Sequence, residues 1–189
     1  SDAKYSAEKE RSVGLGVMGF HSYLQKNNIP LESVMSKVWN KKIFKDIQEK
    51  VDKASKDLAS ERGPCPDAAD YGFNERFSNK TAIAPTASIS VICGGASPGV
   101  EPVAANSYTH KTLSGSFNVR NRYLEELLEK YGKNTNEVWS GITTNQGSVS
   151  HLDFLTNVEK DVFKTAFELD QKWIIELSGD RTPYISQAQ

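Results

Sequence analysis

The run Thr81-Ala-Ile-Ala-Pro-Thr-Ala-Ser-Ile-Ser-Val-Ile-Cys-Gly-Gly95 gathers the residue types of this chain that could do chemistry: a short apolar stretch, a proline, three hydroxyls at Thr86, Ser88 and Ser90, and a diglycine. Pro85 cannot extend a central ladder but suits a first helical turn. A strand at Thr81 is therefore expected to lead into a short helix whose first backbone N–H groups have no intrahelical partner. Those donors, the positive end of the helix dipole and the hydroxyls favour a phosphate or carboxylate. Gly94 and Gly95 end the helix after barely two turns, which leaves little length for packing. The same residues also fit a buried β-α turn whose hydroxyls only cap, and both readings stay open at this level.

Other candidates are weaker. Gly14-x-Gly16-x-x-Gly19 has the letters of a dinucleotide fingerprint, but that motif works after a β-strand inside a βαβ unit. The preceding Ala7-Glu-Lys-Glu-Arg-Ser12 supplies no such strand, so the glycines read as points where a helix approaches its neighbours closely. His21 beside an apolar helix and His110 between Thr109 and Lys111 could each move a proton near neutral pH. Neither adjoins a nucleophile and an orienting acid, and both read as packed or hydrogen-bonded histidines. Glu101, in a glycine-bearing turn soon after the hydroxyl run, is the acid most readily placed near a site. Trp39, Trp139 and Trp173 fall at helical apolar positions and read as core.

The elements that must position these groups are mostly helical. A short helix follows the glycines, with Phe20, Tyr23 and Leu24 at helical spacing up to Asn27. From 32 to 62, Val34, Val38, Phe44, Ile47, Val51, Ala54 and Leu58 mark a long amphipathic helix that Gly63-Pro64 stops. Residues 65–80 read as a loop and 107–119 as a strand or loop broken by glycine. Asn121 can cap a helix to Tyr131, Asn134 or Thr135 can open another through Trp139 and Ile142, and 159–178 reads as one further helix. This is a mixed α/β pattern, not a bundle.

With 189 residues, 38% hydrophobic and 25% charged, one sizeable domain is the default. Lys plus Arg (23) nearly balances Asp plus Glu (24), and the net charge of −1 gives no reason to expect a nucleic-acid or membrane surface. Cys65 and Cys93 form no Cys-x-x-Cys pair and no cluster with His21, His110 or His151 at metal-ligand spacing. Reduced structural thiols and a cytoplasmic compartment are the expectation. No apolar run approaches the roughly 20 residues of a membrane span. The chain opens on Ser1 and stops in Tyr184-Ile-Ser-Gln-Ala-Gln189, which reads as a strand just starting, so both ends look cut.

Six ordered blocks carry a resemblance: Arg11-Ser-Val-Gly-Leu-Gly-Val-Met-Gly19, Gly63-Pro-Cys-Pro66, Ala84-Pro-Thr-Ala-Ser-Ile-Ser90, Gly99-Val-Glu-Pro102, Tyr108-Thr-His-Lys-Thr-Leu-Ser-Gly-Ser-Phe117 and Asp180-Arg-Thr-Pro-Tyr-Ile-Ser-Gln-Ala-Gln189. Together they resemble the large (α) subunit of class I ribonucleoside-diphosphate reductase, in its bacteriophage-like form, over practically the whole chain. The resemblance implies an α/β fold, the helix-rich later part of a ten-stranded α/β barrel that is incomplete on its own, with residues 1–189 a C-terminal portion of the barrel domain. It implies reduction of ribonucleoside diphosphates to deoxyribonucleotides by thiyl-radical chemistry. Pro85, Thr86, Ala87, Ser88 and Ile89 match the segment that binds the substrate diphosphate.

The family's radical-carrying and reducing cysteines have no counterpart here, so no residue of this chain is expected to be catalytic or to bind metal, and the chain alone is expected to be inactive. The implied cofactors lie elsewhere: a metal-radical cofactor in the small subunit, and ATP or dNTP effectors in an N-terminal part. Implied partners are the ribonucleoside diphosphate, the rest of the large subunit, the small radical-generating subunit, and a thioredoxin or glutaredoxin. The alternative from another class is a non-catalytic α/β module that binds a phosphorylated metabolite or a partner protein.

Overall fold

The computed structural model describes residues 1–112 and 115–187, and of 110–112 the backbone alone. In chain order the elements are α1 (Asp2–Glu10), α2 (Phe20–Lys26), α3 (Val34–Arg62), α4 (Pro66–Asp70), α5 (Ala87–Ile92), strands β1 (Ser107–Thr112) and β2 (Gly115–Arg120), α6 (Arg122–Lys130), α7 (Asn136–Thr144), α8 (Asn157–Val162), α9 (Gln171–Arg181) and a 3₁₀ turn at Thr182–Tyr184. The fold is α/β and helix-rich, with a small antiparallel hairpin in which Ser107 pairs with Arg120 and Tyr108 with Val119. Residues group into two compact units, Ser1–Gly16, Lys37–Ala84 and Ile174–Gln189 in one, Val17–Ser36 and Pro85–Trp173 in the other.

In the first unit extended segments replace the strand expected at Thr81. Val13 N–H donates to Asn79 O (2.9 Å), Leu15 N–H to Lys80 O (3.0 Å) and Ala82 N–H to Leu15 O (3.1 Å), a parallel pairing that amounts to one bridge, Leu15 with Thr81. The C-terminal segment joins through side chains: Ser186 N–H donates to Thr81 Oγ1 (2.8 Å) and Ile83 N–H to Gln187 Oε1 (2.7 Å). The strand expected to start at Tyr184 is thus a 3₁₀ turn followed by an extended Ile185 and a bend, and Ala188 and Gln189 lie outside the described residues. The glycine motif serves this pairing. A Cβ on Gly16 would stand 2.7 Å from Ala82 O and one on Gly14 3.3 Å from Ala82 Cβ, so the close approach is between extended backbones and not, as expected, between a helix and its neighbour.

Two helices lie where the sequence shows no helical period. α1 buries no residue, which removes the apolar period a sequence reading needs; its ties are Lys4 to Glu8 (3.7 Å) and Lys9 to Asp70 of α4 (2.8 Å). α4 starts inside the supposed loop because Pro66 sits in its first turn.

In the second unit the expected caps at Asn121 and Thr135 recur: Asn121 Oδ1 accepts from Tyr123 N–H (3.1 Å) and Thr135 Oγ1 from Val138 N–H (3.4 Å). Thr156 with Glu159 adds a capping box that was not among the expected caps. Leu124, Leu128, Trp139, Ile142 and Val162 meet in its core. Trp39 and Trp173 are only half-buried, so of the three tryptophans Trp139 alone is core. The helix expected over 159–178 is broken. Thr165 Oγ1 and N–H both donate to Glu168 Oε2 (2.9 and 2.8 Å), Ala166 N–H donates to Val103 O (2.8 Å) and Asp170 Oδ1 accepts from Lys172 N–H (2.9 Å). Local side-chain bonds and a tertiary one satisfy the backbone there in place of helix, despite apolar spacing that continues through.

Candidate anion-binding turn

Pro85 ends extended chain and Thr86 stands at the N-cap of α5 in the left-handed region (φ 51°, ψ 27°). That conformation is uncommon for any residue with a Cβ and an outlier for a β-branched one. It is held by a bond from outside the helix: Gly99 N–H donates to Thr86 Oγ1 at 2.7 Å. Beyond the cap, the amides of Ala87, Ser88 and Ile89 have no hydrogen-bond partner among the described residues; the first amide to be paired is Ser90, which donates to Thr86 O (2.9 Å). Pro85, Ala87, Ser88 and Ile89 are exposed and Thr86 is half-buried.

The three hydroxyls have different fates. Ser88 is exposed, and its hydroxyl has no partner among the described residues. Thr86 Oγ1 has used one acceptor site on Gly99 but keeps its proton to donate. Ser90 is 4% exposed and donates to Ala87 O (2.9 Å), so its hydroxyl works inside the helix and the expectation that it faces an anion is corrected. No charged side chain lies within 85–89. An anion would be held by amides and hydroxyls at the positive end of α5. Gly94, which ends the helix (φ 81°), sits beside Arg122, a Cβ there lying 3.7 Å from Nη1; this cation is at the opposite end, where the dipole favours it.

A cavity of about 390 Å³ lies against α5, bounded by Ala87, Ser90 and Val91 on one side and by Val103, Tyr108 and Val119 on the other. A larger one, about 440 Å³, is lined by Lys26, Lys130, Glu126 and Glu159. Its mixed charges do not favour an anion.

His21 is fully buried. Its Nδ1 accepts from Val103 N–H (3.0 Å), Nε2 has no partner among the described residues, and burial pushes the imidazole down to about 4. It is therefore a neutral, structural histidine, as expected. The side chain of His110 lies outside the described residues. Glu101 is exposed in the turn closed by its own N–H to Pro98 O (2.9 Å), and among the described residues it makes no hydrogen bond to 85–89. Cys65 is buried, while Cys93 is exposed at the end of α5. Among the described residues no group of three or more His, Cys, Asp or Glu could hold a metal ion, and no helix is long and apolar enough to cross a membrane.

The residues that sequence reasoning missed are Gly99, whose N–H bonds to Thr86 Oγ1, and Ser22 and Ser97, which bond to each other beside it. Residues 97–102 were legible as turn chemistry, but nothing in the local pattern says what their polar groups touch.

The model of the ribonucleotide reductase barrel domain matches residues 1–75 and 67–189, and the chain belongs to that family. It is 49% identical over 193 residues to the ribonucleoside-diphosphate reductase large subunit of Invertebrate iridescent virus 6, covering all of this chain and 20% of that protein. It is 44% identical to the corresponding subunit of Invertebrate iridescent virus 3, over 99% of this chain and 30% of that one. The structure superposes on the class Id ribonucleotide reductase alpha subunit of Actinobacillus ureae with a TM-score of 0.89 and 43% identity, covering 98% of this chain and 33% of that chain. The chain thus spans a third or less of the length of these relatives.

Proposed function

We propose that this chain is a C-terminal portion of the large subunit of a class I ribonucleoside-diphosphate reductase, and that residues Pro85, Thr86, Ala87, Ser88 and Ile89 hold the substrate diphosphate. What carries the reading is the row of unpaired amides over Ala87, Ser88 and Ile89 behind a left-handed threonine, in the stretch that matches the family's diphosphate segment. The reaction reduces a ribonucleoside diphosphate to the deoxyribonucleotide by thiyl-radical chemistry. The residues of this chain bind and orient: the amides and the Thr86 and Ser88 hydroxyls fix the phosphates, and fixing that end of the nucleotide holds its ribose in register for groups supplied by other polypeptide. The barrel they complete is ten-stranded, and residues 1–189 belong to one domain of it.

The partners in this proposal are the rest of the large subunit, the small subunit with its metal-radical cofactor, and a thioredoxin or glutaredoxin; ATP or dNTP effectors bind outside this segment. The compartment is the cytoplasm. The test mixes this chain with a polypeptide carrying the rest of the large subunit and with a small subunit, and assays deoxyribonucleotide formation. Activity is expected in the mixture and not from the chain alone. Joint replacement of Thr86 and Ser88 by alanine should weaken diphosphate binding by about 1 to 3 kcal/mol. A correctly assembled mixture that makes no deoxyribonucleotide would leave the non-catalytic module as the better reading.

A further inference from the structure

A helix that starts at a glycine has no side chain of its own with which to satisfy its first amides. α2 starts at Gly19 (φ 82°) and solves this with loop 97–99. Ser97 O accepts from Gly19 N–H (2.9 Å), Gly99 O from Phe20 N–H (3.4 Å) and Ser97 Oγ from Ser22 N–H (3.1 Å). Ser22 Oγ returns the contact by accepting from Ser97 N–H (2.8 Å). Ser97 is fully buried and Ser22 is 6% exposed, so neither bond can be replaced by bulk water. A second tie, Val103 N–H to His21 Nδ1, fixes the chain four residues beyond that loop.

The backbone of Gly99 therefore faces two ways. Its carbonyl helps cap α2, and its N–H is the donor that holds Thr86. We infer that Ser22 and Ser97 are positioning residues for the diphosphate turn, acting through Gly99 on the left-handed conformation of Thr86; this rests on the diphosphate reading proposed above. Removing either hydroxyl deletes one of the three bonds that seat residue 97 against the start of α2. Gly99 is then free to withdraw from Thr86 Oγ1, Thr86 relaxes towards the commoner backbone regions, and the amides that follow it lose their common aim. Hydrogen bonds weaken steeply with misalignment, so a small rotation suffices.

The test uses the assembled reductase with CDP as substrate. Ser22→Ala and Ser97→Ala should each raise KM five- to tenfold and leave kcat within twofold, and the double variant should be little worse than either single one, because the two hydroxyls form one unit. Inhibition by pyrophosphate, which carries only the phosphate part, should weaken by the same factor, and inhibition by cytidine, which lacks it, should not change. Ser22→Thr keeps the oxygen and should stay near the unsubstituted enzyme. If Ser97→Ala does not fold, Ser22→Ala carries the test. Variants that melt earlier but keep the original KM, or that lose cytidine and pyrophosphate inhibition equally, would reduce the pair to a structural role and overturn the inference. Failure of pyrophosphate to compete with CDP in the unsubstituted enzyme would instead remove the diphosphate reading itself.

Discussion

Helices α2 and α5 have 7 and 6 residues and both open on a left-handed residue, Gly19 at φ 82° and Thr86 at φ 51°. Loop 97–99 fills the first amides of α2 and buries them, while α5 keeps three amides open on an exposed turn. Length and backbone geometry are nearly the same, so what separates a structural helix start from an available one is the segment that lies opposite. The cap residue differs too. Glycine adopts the left-handed region without penalty, whereas a threonine there costs of order 1 to 3 kcal/mol and needs a bond to hold it. Strain kept at the start that no packing requires is consistent with a binding role.

The contrast can be tested from its strongest consequence to its weakest. His21 braces the capped start and stays neutral when folded, at about 4, against an ordinary value near 6.5. Between these values the unfolded chain binds a proton that the folded one refuses, so the stabilisation is complete above pH 6.5 and shrinks as the pH falls towards 4. The loss should reach about 3 kcal/mol, read as a falling urea midpoint over that window, and His21→Gln should flatten the profile. An unchanged slope in the variant would assign the effect to other groups.

Next, Gly19→Ala should cost about 1 to 2 kcal/mol, because alanine pays the left-handed penalty at φ 82°, although its Cβ would fit, 3.6 Å from Ala96 Cβ. Thr86→Gly should change stability by less than about 1 kcal/mol, since relief of strain offsets the lost Gly99 bond and the added chain entropy. Equal losses at the two caps, measured by denaturant unfolding, would erase the distinction drawn between them. The smallest effect belongs to Ser88→Ala, expected within about 0.5 kcal/mol of the unsubstituted stability because the side chain is exposed and unbonded. A larger loss would mean that the open start has a structural duty after all.

Much of the second unit was legible. Asn121, Thr135 and the Gly132 stop bracket α6 and α7 because capping is a contact between near neighbours in the chain, and the 3.6-residue period placed Trp139 and Ile142 inward. α1 was not legible, since a helix that buries nothing has no apolar period. The break after Val162 was missed because Thr165 with Glu168 and the bond from Ala166 to Val103 outweigh a continuing apolar spacing. At the turn itself, Pro85 and the residues after it announced a short helix start and a class of ligand, but not which hydroxyls were available.

What the amino-acid order determined alone is the set of local events: where helices are capped, where glycine allows a positive φ, and that a helix begins just after Pro85. Tertiary structure alone decided that Ser90 turns inward, that Gly99 reaches Thr86 across 13 residues of chain, and that Ser22 and Ser97 satisfy each other. The physical reason is range. Caps and turns are settled by bonds within a few residues, whereas the partner of a buried amide or hydroxyl is whatever polar group the packed chain brings within about 3 Å of it.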